Sequence, residues 1–106
     1  MSLFSIRRGS DINRGAQEFR DTPGALLLDV REEDEYRSGH LPGSKNLPLN
    51  MLPTLFTGLG PKDTPVFIYC LSGGRSARAV SFLQRKGFTR VKNIGGISDY
   101  TGRVER

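Results

Sequence analysis

Tryptophan is absent from this 106-residue chain, and cysteine and histidine occur once each, as Cys70 and His40. A single cysteine excludes an internal disulfide, and one cysteine with one histidine is too small a set for a structural zinc site. We therefore predict neither a disulfide nor a metal. Any importance of Cys70 has to come from its packing or from its own reactivity.

Long apolar runs are missing as well, since no stretch approaches the roughly 20 apolar residues that a membrane-spanning helix needs. The first residues lack the apolar core of a signal peptide, so we expect a cytoplasmic protein without a membrane partner. A basic run interleaved with aromatic residues is also lacking, which argues against nucleic-acid binding.

Basic residues outnumber acidic ones, 16 to 11, and the net charge is +5. A positive field attracts small anions or an acidic partner, but the basic residues are scattered, and a solvated basic surface is the simpler interpretation. The apolar fraction of 36% and the charged fraction of 25% are ordinary for a globular protein. The chain is long enough to bury a core, and we predict a single domain over residues 1–106.

Apolar runs of strand composition alternate along the chain with segments of helical spacing. Strands are predicted at residues 3–6, 25–30, 45–48, 66–70 and 88–94, with Gly95 and Gly96 ending the last one. Helices are predicted from a cap at Ser10 or Asp11 to about Thr22, over 32–37, over 51–56 with Asn50 as its cap, over 74–86, and over 97–104. This order predicts an α/β fold with a mostly parallel central sheet and helices on both faces.

The stretch around Cys70 is the most informative part of the sequence. The apolar run 66–70 ends on Cys70, and Leu71, Ser72, Gly73, Gly74 and Arg75 lead into a segment of helical spacing. In open α/β sheets, ligands bind beyond the carboxyl ends of strands, where Cys70 is expected. Backbone N–H groups and a helix N-terminus would lower the pKa of a thiol at this position.

Each residue of this loop suits the task of holding an anion. Gly73 and Gly74 allow the backbone to turn its N–H groups inward. We expect Ser72 to add a hydroxyl donor, Ser76 to cap the helix, and Arg75 to orient the loop or to meet an anionic substrate. The alternative is a buried core cysteine followed by an ordinary turn. The coincidence of strand end, glycines, arginine and helix start favours Cys70 as a nucleophile.

Other polar residues favour a structural interpretation. Asp29 and Arg31 follow an apolar run, and we expect Arg31 to pair with Glu35. His40 lies in a Gly-His-Leu-Pro-Gly sequence and is predicted to fix a turn rather than to act as a base. The carboxylates of residues 32–35 are expected to form a solvated helix face.

At this point the chain resembles the single-domain rhodanese family. Residues 70–76, CLSGGRS, resemble that family's active-site loop, Cys-x-x-Gly-x-Arg-Ser. The upstream segments LDVR, EY and GHLPGS at residues 28–31, 35–36 and 39–44 also match its pattern, as do NLP at 46–48 and the late glycine pair 95–96. The resemblance extends from about Ile12 to the end of the chain.

The resemblance implies sulfur transfer. Cys70 would take a sulfane sulfur from a small anionic donor such as thiosulfate or a polysulfide, and the amides of residues 71–75 would stabilise the resulting persulfide. A thiol, cyanide or a protein would accept the sulfur, and no cofactor is implied. Many thiosulfate-using members carry a basic residue where this chain has Leu71, so a polysulfide, a persulfide or a partner protein is an alternative donor.

Two rival functions stay open. Cysteine phosphatases and arsenate reductases use the same kind of sheet with a Cys-x5-Arg loop, whereas Cys70 to Arg75 is Cys-x4-Arg. The shorter loop is expected to suit a sulfur atom better than a tetrahedral phosphate. The other rival is a low-turnover sulfur-carrier or regulatory module of the rhodanese kind.

Overall fold

The computed structural model describes residues 11–106, and the strand predicted at residues 3–6 lies outside this range. The strands are β1 (Leu26–Asp29), β2 (Lys45–Asn46), β3 (Val66–Cys70) and β4 (Val91–Gly96). The helices are α1 (Ile12–Arg20), α2 (Glu33–Ser38), α3 (Leu52–Leu55) and α4 (Gly74–Arg85). Short 3-10 turns flank α3 at Leu49–Met51 and Phe56–Leu59, and another, Ile97–Asp99, follows β4.

The four strands form one sheet in the order β2-β1-β3-β4, and every neighbouring pair is parallel. Parallel strands need crossover connections, and the intervening helices supply them. The predicted parallel α/β architecture is confirmed. Within residues 11–106, no helix combines the length and the apolar character that crossing a membrane requires.

Strand β3 lies in the middle of the sheet, and all five of its residues are buried. Alternate side chains therefore serve two cores on opposite faces. Val66, Ile68 and Cys70 pack on the side of α4, whereas Phe67 and Tyr69 pack on the side of α1. Burial on both faces explains the uninterrupted apolar run, and it places Cys70 beneath α4.

The start of α1 agrees with the sequence, because the Asp11 carboxylate accepts a hydrogen bond from the Asn13 N–H at 3.0 Å. Asn50 is not the cap predicted for the next segment. It lies inside the 3-10 turn that begins after Pro48, and no side chain there makes a capping hydrogen bond. The proline fixes the direction of the backbone entering this turn.

Strand β4 is also different from the prediction, since it continues through Gly95 and Gly96 instead of ending before them. Asn93 pairs with Ile68 and Gly95 with Tyr69, so Ile94 is an extra residue that forms a bulge. Gly95 adopts a φ of 105°, which permits this shift of register.

The predicted helix over residues 97–104 is wrong beyond its first turn. Only Ile97–Asp99 forms a 3-10 turn, and residues 100–106 form no helix. Glu105 exchanges two backbone hydrogen bonds with His40, at 2.8 and 2.9 Å, in an antiparallel bridge. These hydrogen bonds satisfy backbone groups that a terminal helix would otherwise have paired internally.

Candidate active site

The cysteine lies where a strand, a tight loop and a helix meet. Strand β3 ends at Cys70, and α4 begins four residues later at Gly74. Gly73 is the residue immediately before the helix and has a φ of 106°, a conformation that side chains other than glycine rarely adopt. This turn places the first N–H groups of a 12-residue helix over a buried sulfur atom.

Three groups contact the sulfur. The N–H of Gly73 donates to Cys70 Sγ at 3.1 Å, and the N–H of Ser76 donates at 3.3 Å. The Ser76 hydroxyl lies 3.4 Å from the same atom. Burial by itself raises the pKa of the Cys70 thiol, but the hydrogen bonds from the Ser76 hydroxyl and from the N–H groups of Ser76, Gly73 and Ser72 outweigh it. The net effect lowers the pKa and favours the thiolate.

The remaining loop residues differ in how they relate to the sulfur. The N–H group of Ser72 adds to the lowering of the pKa of Cys70, and the donor role of its hydroxyl stays a prediction. Leu71 exposes 45% of its surface next to the cysteine, and its carbonyl accepts a hydrogen bond from the Ser98 N–H at 3.1 Å. Gly74 opens the helix. Ser76 does not cap the helix as predicted, because Gly73 occupies the cap position.

Arg75 is engaged by a carboxylate. Its two terminal nitrogens donate to the two oxygens of Glu35 at 2.8 and 3.0 Å. The hydrogen bond from Arg75 is the largest influence on Glu35 and lowers the pKa of that carboxyl from 4.5 to about 2. The pair joins the first turn of α4 to α2. Of the two roles predicted for Arg75, this geometry favours orienting the loop over offering a free charge to a substrate.

Asn93 is part of the site, although the sequence interpretation did not single it out. Its side-chain amide donates to the Gly73 carbonyl at 3.1 Å. Its side-chain oxygen accepts from the Ser76 hydroxyl at 2.7 Å and from the Gly95 N–H at 2.9 Å. Asn93 thus holds both residues that contact the sulfur directly. The available signal was an asparagine inside a predicted apolar strand, just before two glycines.

Gly96 shows why β4 ends in glycine. A Cβ atom at this position would lie 2.2 Å from the Leu71 carbonyl oxygen and 2.5 Å from Ser72 Cα. The strand therefore passes directly against the backbone of the loop, and no side chain fits between them. Gly96 therefore packs directly against the backbone of Leu71 and Ser72.

Asp29 and Arg31 form a buried ion pair at 2.7 Å, and Arg31 also donates to the Gly39 carbonyl at 2.8 Å. The predicted pairing of Arg31 with Glu35 is therefore wrong. The carboxylate two residues before Arg31 is in reach of its guanidinium, whereas Glu35 is held by Arg75. The structural interpretation of Asp29 and Arg31 agrees with this arrangement.

His40 stacks on the ring of Tyr36 with a centroid distance of 3.7 Å, and its Nδ1 lies 2.8 Å from the Tyr36 carbonyl oxygen. These contacts agree with the turn-fixing role predicted for His40. In the described range 11–106, no three His, Cys, Asp or Glu side chains come together where they could hold a metal ion.

Comparison with known proteins decides the family. The family model for the rhodanese-like domain matches residues 14–103. The chain belongs to the rhodanese-like domain family. The resemblance noted in the sequence is thereby confirmed over nearly the whole chain.

Relatives in this family cover the chain to different extents. A sulfurtransferase of Allochromatium vinosum is 38% identical over 81 residues, which are 76% of this chain and 75% of that protein. A putative sulfur carrier protein of Bacillus subtilis is 38% identical over 80 residues, or 74% of this chain and 43% of that protein. A solved rhodanese with anions from E. coli superposes with a TM-score of 0.70 at 30% identity, covering 77% of this chain and 98% of its own.

Proposed function

We propose that this rhodanese-like protein is a sulfurtransferase that uses Cys70 as its catalytic nucleophile. The observation that carries the proposal is the set of donors around one buried sulfur: the N–H groups of Gly73 and Ser76 and the Ser76 hydroxyl, all within 3.4 Å. Donors that converge in this way stabilise a sulfur anion before and after it takes up a second sulfur atom. Relatives described as a sulfurtransferase and as a putative sulfur carrier support the same chemistry.

The first step forms a persulfide. The Cys70 thiolate attacks the outer sulfur of thiosulfate, forms an S–S bond and releases sulfite, or it attacks a polysulfide and releases a polysulfide one sulfur shorter. The product is a Cys70 persulfide anion, and the backbone of residues 71–75 is proposed to surround its terminal sulfur. No electron acceptor is consumed, because the leaving group departs with the electron pair of the bond that breaks.

The second step returns the enzyme to its thiolate form. The acceptor thiol gives its proton to the terminal sulfur of the persulfide anion. The resulting thiolate attacks that sulfur and leaves as a new persulfide, while the Cys70 thiolate departs. Cyanide can replace the thiol and leave as thiocyanate. A cytoplasmic location, where thiols remain reduced, suits a reactive cysteine and is part of the proposal.

Leu71 bears on the choice of donor. Its exposed apolar side chain adds no charge at the entrance to the loop, and Arg75 is already paired with Glu35. These features favour polysulfide over thiosulfate. Both donors are anions, but the sulfonate oxygens of thiosulfate need a cation or hydrogen-bond donors outside the loop, whereas the sulfur chain of a polysulfide can pack against the apolar side chain of Leu71. We propose that both donors react and that polysulfide reacts faster.

Intact mass spectrometry of the reduced protein tests the function. The protein is measured before and after incubation with thiosulfate, polysulfide and an aryl phosphate, and Cys70→Ser is the control variant. We expect a gain of one sulfur atom that cyanide removes and that the variant does not show. Hydrolysis of the aryl phosphate without any gain of sulfur would replace this proposal with a phosphatase.

The same experiment separates an enzyme from a carrier module. Repeated turnover with cyanide or a thiol supports the enzyme. A single sulfur atom that is gained but not turned over by small acceptors would favour the carrier role, which the similarity to a putative sulfur carrier protein makes a specific alternative.

A further inference from the structure

Helix α4 carries a row of side chains along the side that faces the segment after β2. Arg75, Arg78, Phe82 and Arg85 follow one another at spacings of three and four residues, so they share one side of the helix. Together they form one wall of an open cleft of about 720 Å³. One end of this row is Arg75, which belongs to the loop around Cys70.

The opposite wall comes from the turn and helix that follow β2. Leu49 and Pro53 line it above the buried side chain of Leu52, and the half-buried Phe82 completes an apolar floor from the side of α4. Met51 and Leu55 lie on the same segment outside the lining of the cleft, and they are 42% and 46% exposed. A surface of this kind gains free energy when a partner covers its apolar atoms.

The end of the cleft that lies away from Cys70, around Arg78 and Arg85, is positively charged. Residues 74–86 contain four cations, Arg75, Arg78, Arg85 and Lys86, and no acidic residue. Glu35 neutralises Arg75, and Glu32 lines the same end of the cleft. The ion pairs formed within residues 11–106 involve neither Arg78 nor Arg85. These two arginines are two helical turns apart, which places them about 10 Å from each other along the axis.

We propose that this cleft, which we call the α4 cleft, binds an acidic segment of the protein that accepts sulfur from Cys70. The proposal rests on the proposed function for its chemistry, but its binding step does not require a persulfide. A bound segment would lie along α4 over about 15 Å from Arg85 to Arg75. Its end at Arg75 would bring an acceptor thiol to the loop around Cys70.

The composition of the cleft selects the class of partner. A small anion would use the arginines but would leave the apolar floor uncovered, and the sugar-phosphate chain of a nucleic acid would do the same. A peptide segment with carboxylates and apolar side chains complements both features. Carboxylates about 10 Å apart would match Arg78 and Arg85.

Binding of a synthetic peptide tests the α4 cleft without any sulfur chemistry. The probe is a labelled peptide that repeats Glu-Leu-Leu and has a cysteine at one end, so that its glutamates lie about 10 Å apart when it is extended. Its affinity for the Cys70→Ser protein is measured by fluorescence anisotropy. Adding the two substitutions Arg78→Glu and Arg85→Glu is expected to weaken binding about tenfold or more. The milder pair Arg78→Gln and Arg85→Gln is expected to weaken it about threefold.

The matched control reverses the same amount of charge elsewhere. Arg14 lies on α1, on the other face of the sheet, and Arg90 precedes β4; both are exposed. The substitutions Arg14→Glu and Arg90→Glu should leave peptide affinity within about twofold of the parent. An equal loss in both charge-reversed variants would overturn the proposal, because binding would then follow net charge and not the cleft. A glutamine version of the peptide that binds equally well would overturn it too.

Failure of the two proposals can be told apart. If the peptide depends on Arg78 and Arg85 while Cys70 never gains sulfur, the α4 cleft stands and the sulfurtransferase function fails. If Cys70 gains sulfur that cyanide removes, but the charge reversals do not change peptide binding, the sulfurtransferase function is supported and the binding role of the α4 cleft is overturned. A short single-stranded RNA that binds more tightly than the peptide, and depends on the same arginines, would assign the cleft to nucleic acid instead.

Discussion

Burial and ionisation oppose each other at Cys70, and hydrogen-bond geometry determines which effect is larger. A buried thiol normally remains neutral, because a charge is poorly solvated away from water. Here the N–H groups of Gly73 and Ser76 replace that water at 3.1 and 3.3 Å. The Ser76 hydroxyl has one hydrogen and three acceptors in reach: the sulfur, Asn93 Oδ1 and the Gly73 carbonyl.

The Ser76 hydroxyl can therefore change the acceptor to which it donates when the sulfur changes its charge. Asn93 Oδ1 also accepts from the Gly95 N–H, and the Gly73 carbonyl also accepts from the Ala77 N–H and the Asn93 amide. Neither oxygen is left without a partner when the hydroxyl turns towards a thiolate. When the sulfur carries a proton, the hydroxyl can turn back to Asn93 and accept the S–H hydrogen bond itself.

We expect Asn93→Asp to raise the pKa of Cys70. The carboxylate can still accept from Ser76 and Gly95, but it cannot donate to the Gly73 carbonyl, and its charge repels the thiolate. We expect an increase of about one pKa unit or more, and about tenfold slower alkylation by iodoacetamide near pH 7. The measurement is the pH dependence of the alkylation rate.

Asn13→Asp is the matched control, because Asn13 also bonds through both ends of its amide but lies on α1 beside Asp99 and Thr101. It adds the same charge far from α4 and should leave the alkylation profile unchanged. A profile for Asn93→Asp that coincides with that of the parent would contradict the role assigned to Asn93.

Cys70 and its loop were predictable from the sequence, whereas the role of Asn93 was not. The residues of the loop are consecutive in the sequence, and its glycines indicate a tight turn that brings N–H groups towards the cysteine. Asn93 reaches the loop only because β3 and β4 pair in parallel with a bulge at Ile94. The position of that bulge depends on contacts between distant segments, which a pattern of apolar residues does not record.

One ion pair joins two helices at the site. Glu35 belongs to α2 and Arg75 to the first turn of α4, so their two hydrogen bonds tie together helices that are far apart in sequence. Glu35 also accepts a hydrogen bond from the Glu32 N–H at 2.8 Å, which fixes its own helix start. The carboxylate therefore stabilises α2, α4 and the loop between β3 and α4 at once.

This arrangement predicts how stability changes with acid. The pKa of Glu35 is lowered from 4.5 to about 2, so the folded state favours its ionised form. Its stabilisation is fully present above pH 4.5 and is lost as the pH falls through about 2. We expect Glu35→Gln to lower the free energy of unfolding at neutral pH by about 1–2 kcal/mol, and to flatten its dependence on pH in this window.

Urea unfolding across that pH range checks the expectation. Glu33→Gln is the control on the same helix, because Glu33 pairs with Arg37 while their side chains remain 67% and 74% exposed. An exposed pair of this kind contributes little, so the control should change stability by less than about 0.5 kcal/mol. Equal losses in the two variants would show that Glu35 acts only as a surface charge.

The ends of helices and strands were predicted correctly where neighbouring residues determine them. The predictions were wrong where contacts with distant parts of the chain determine the ends. The predicted helix at residues 74–86 and the strand at 66–70 correspond to α4 and β3. Gly95 and Gly96 were expected to end β4, since glycine usually weakens strands. They continue it because Gly95 accommodates the bulge and Gly96 allows the strand to touch the loop.

The whole molecule combines a neutralised loop arginine with a net charge of +5. The parallel sheet and its two faces followed from the alternation of apolar runs and helical spacing, because covering both faces of a sheet leaves few arrangements. The distribution of charge in space did not follow from the sequence. In the sequence, Arg78 and Arg85 belong to a scattered set of basic residues. They line one cleft only because α4 lies beside the segment 49–53.

The overall charge predicts how Cys70 discriminates between anionic and neutral reagents. Iodoacetate and iodoacetamide both react with the thiolate, so the ratio of their rates does not depend on the pKa of the cysteine. A positive field concentrates the anion, and we expect this ratio to be severalfold higher for the protein than for an uncharged cysteine derivative at low ionic strength. Near 1 M salt, where the screening length is about 3 Å, the two ratios should converge. A ratio equal to that of the free cysteine derivative at every salt concentration would show that the positive charge of the protein does not attract anions to Cys70.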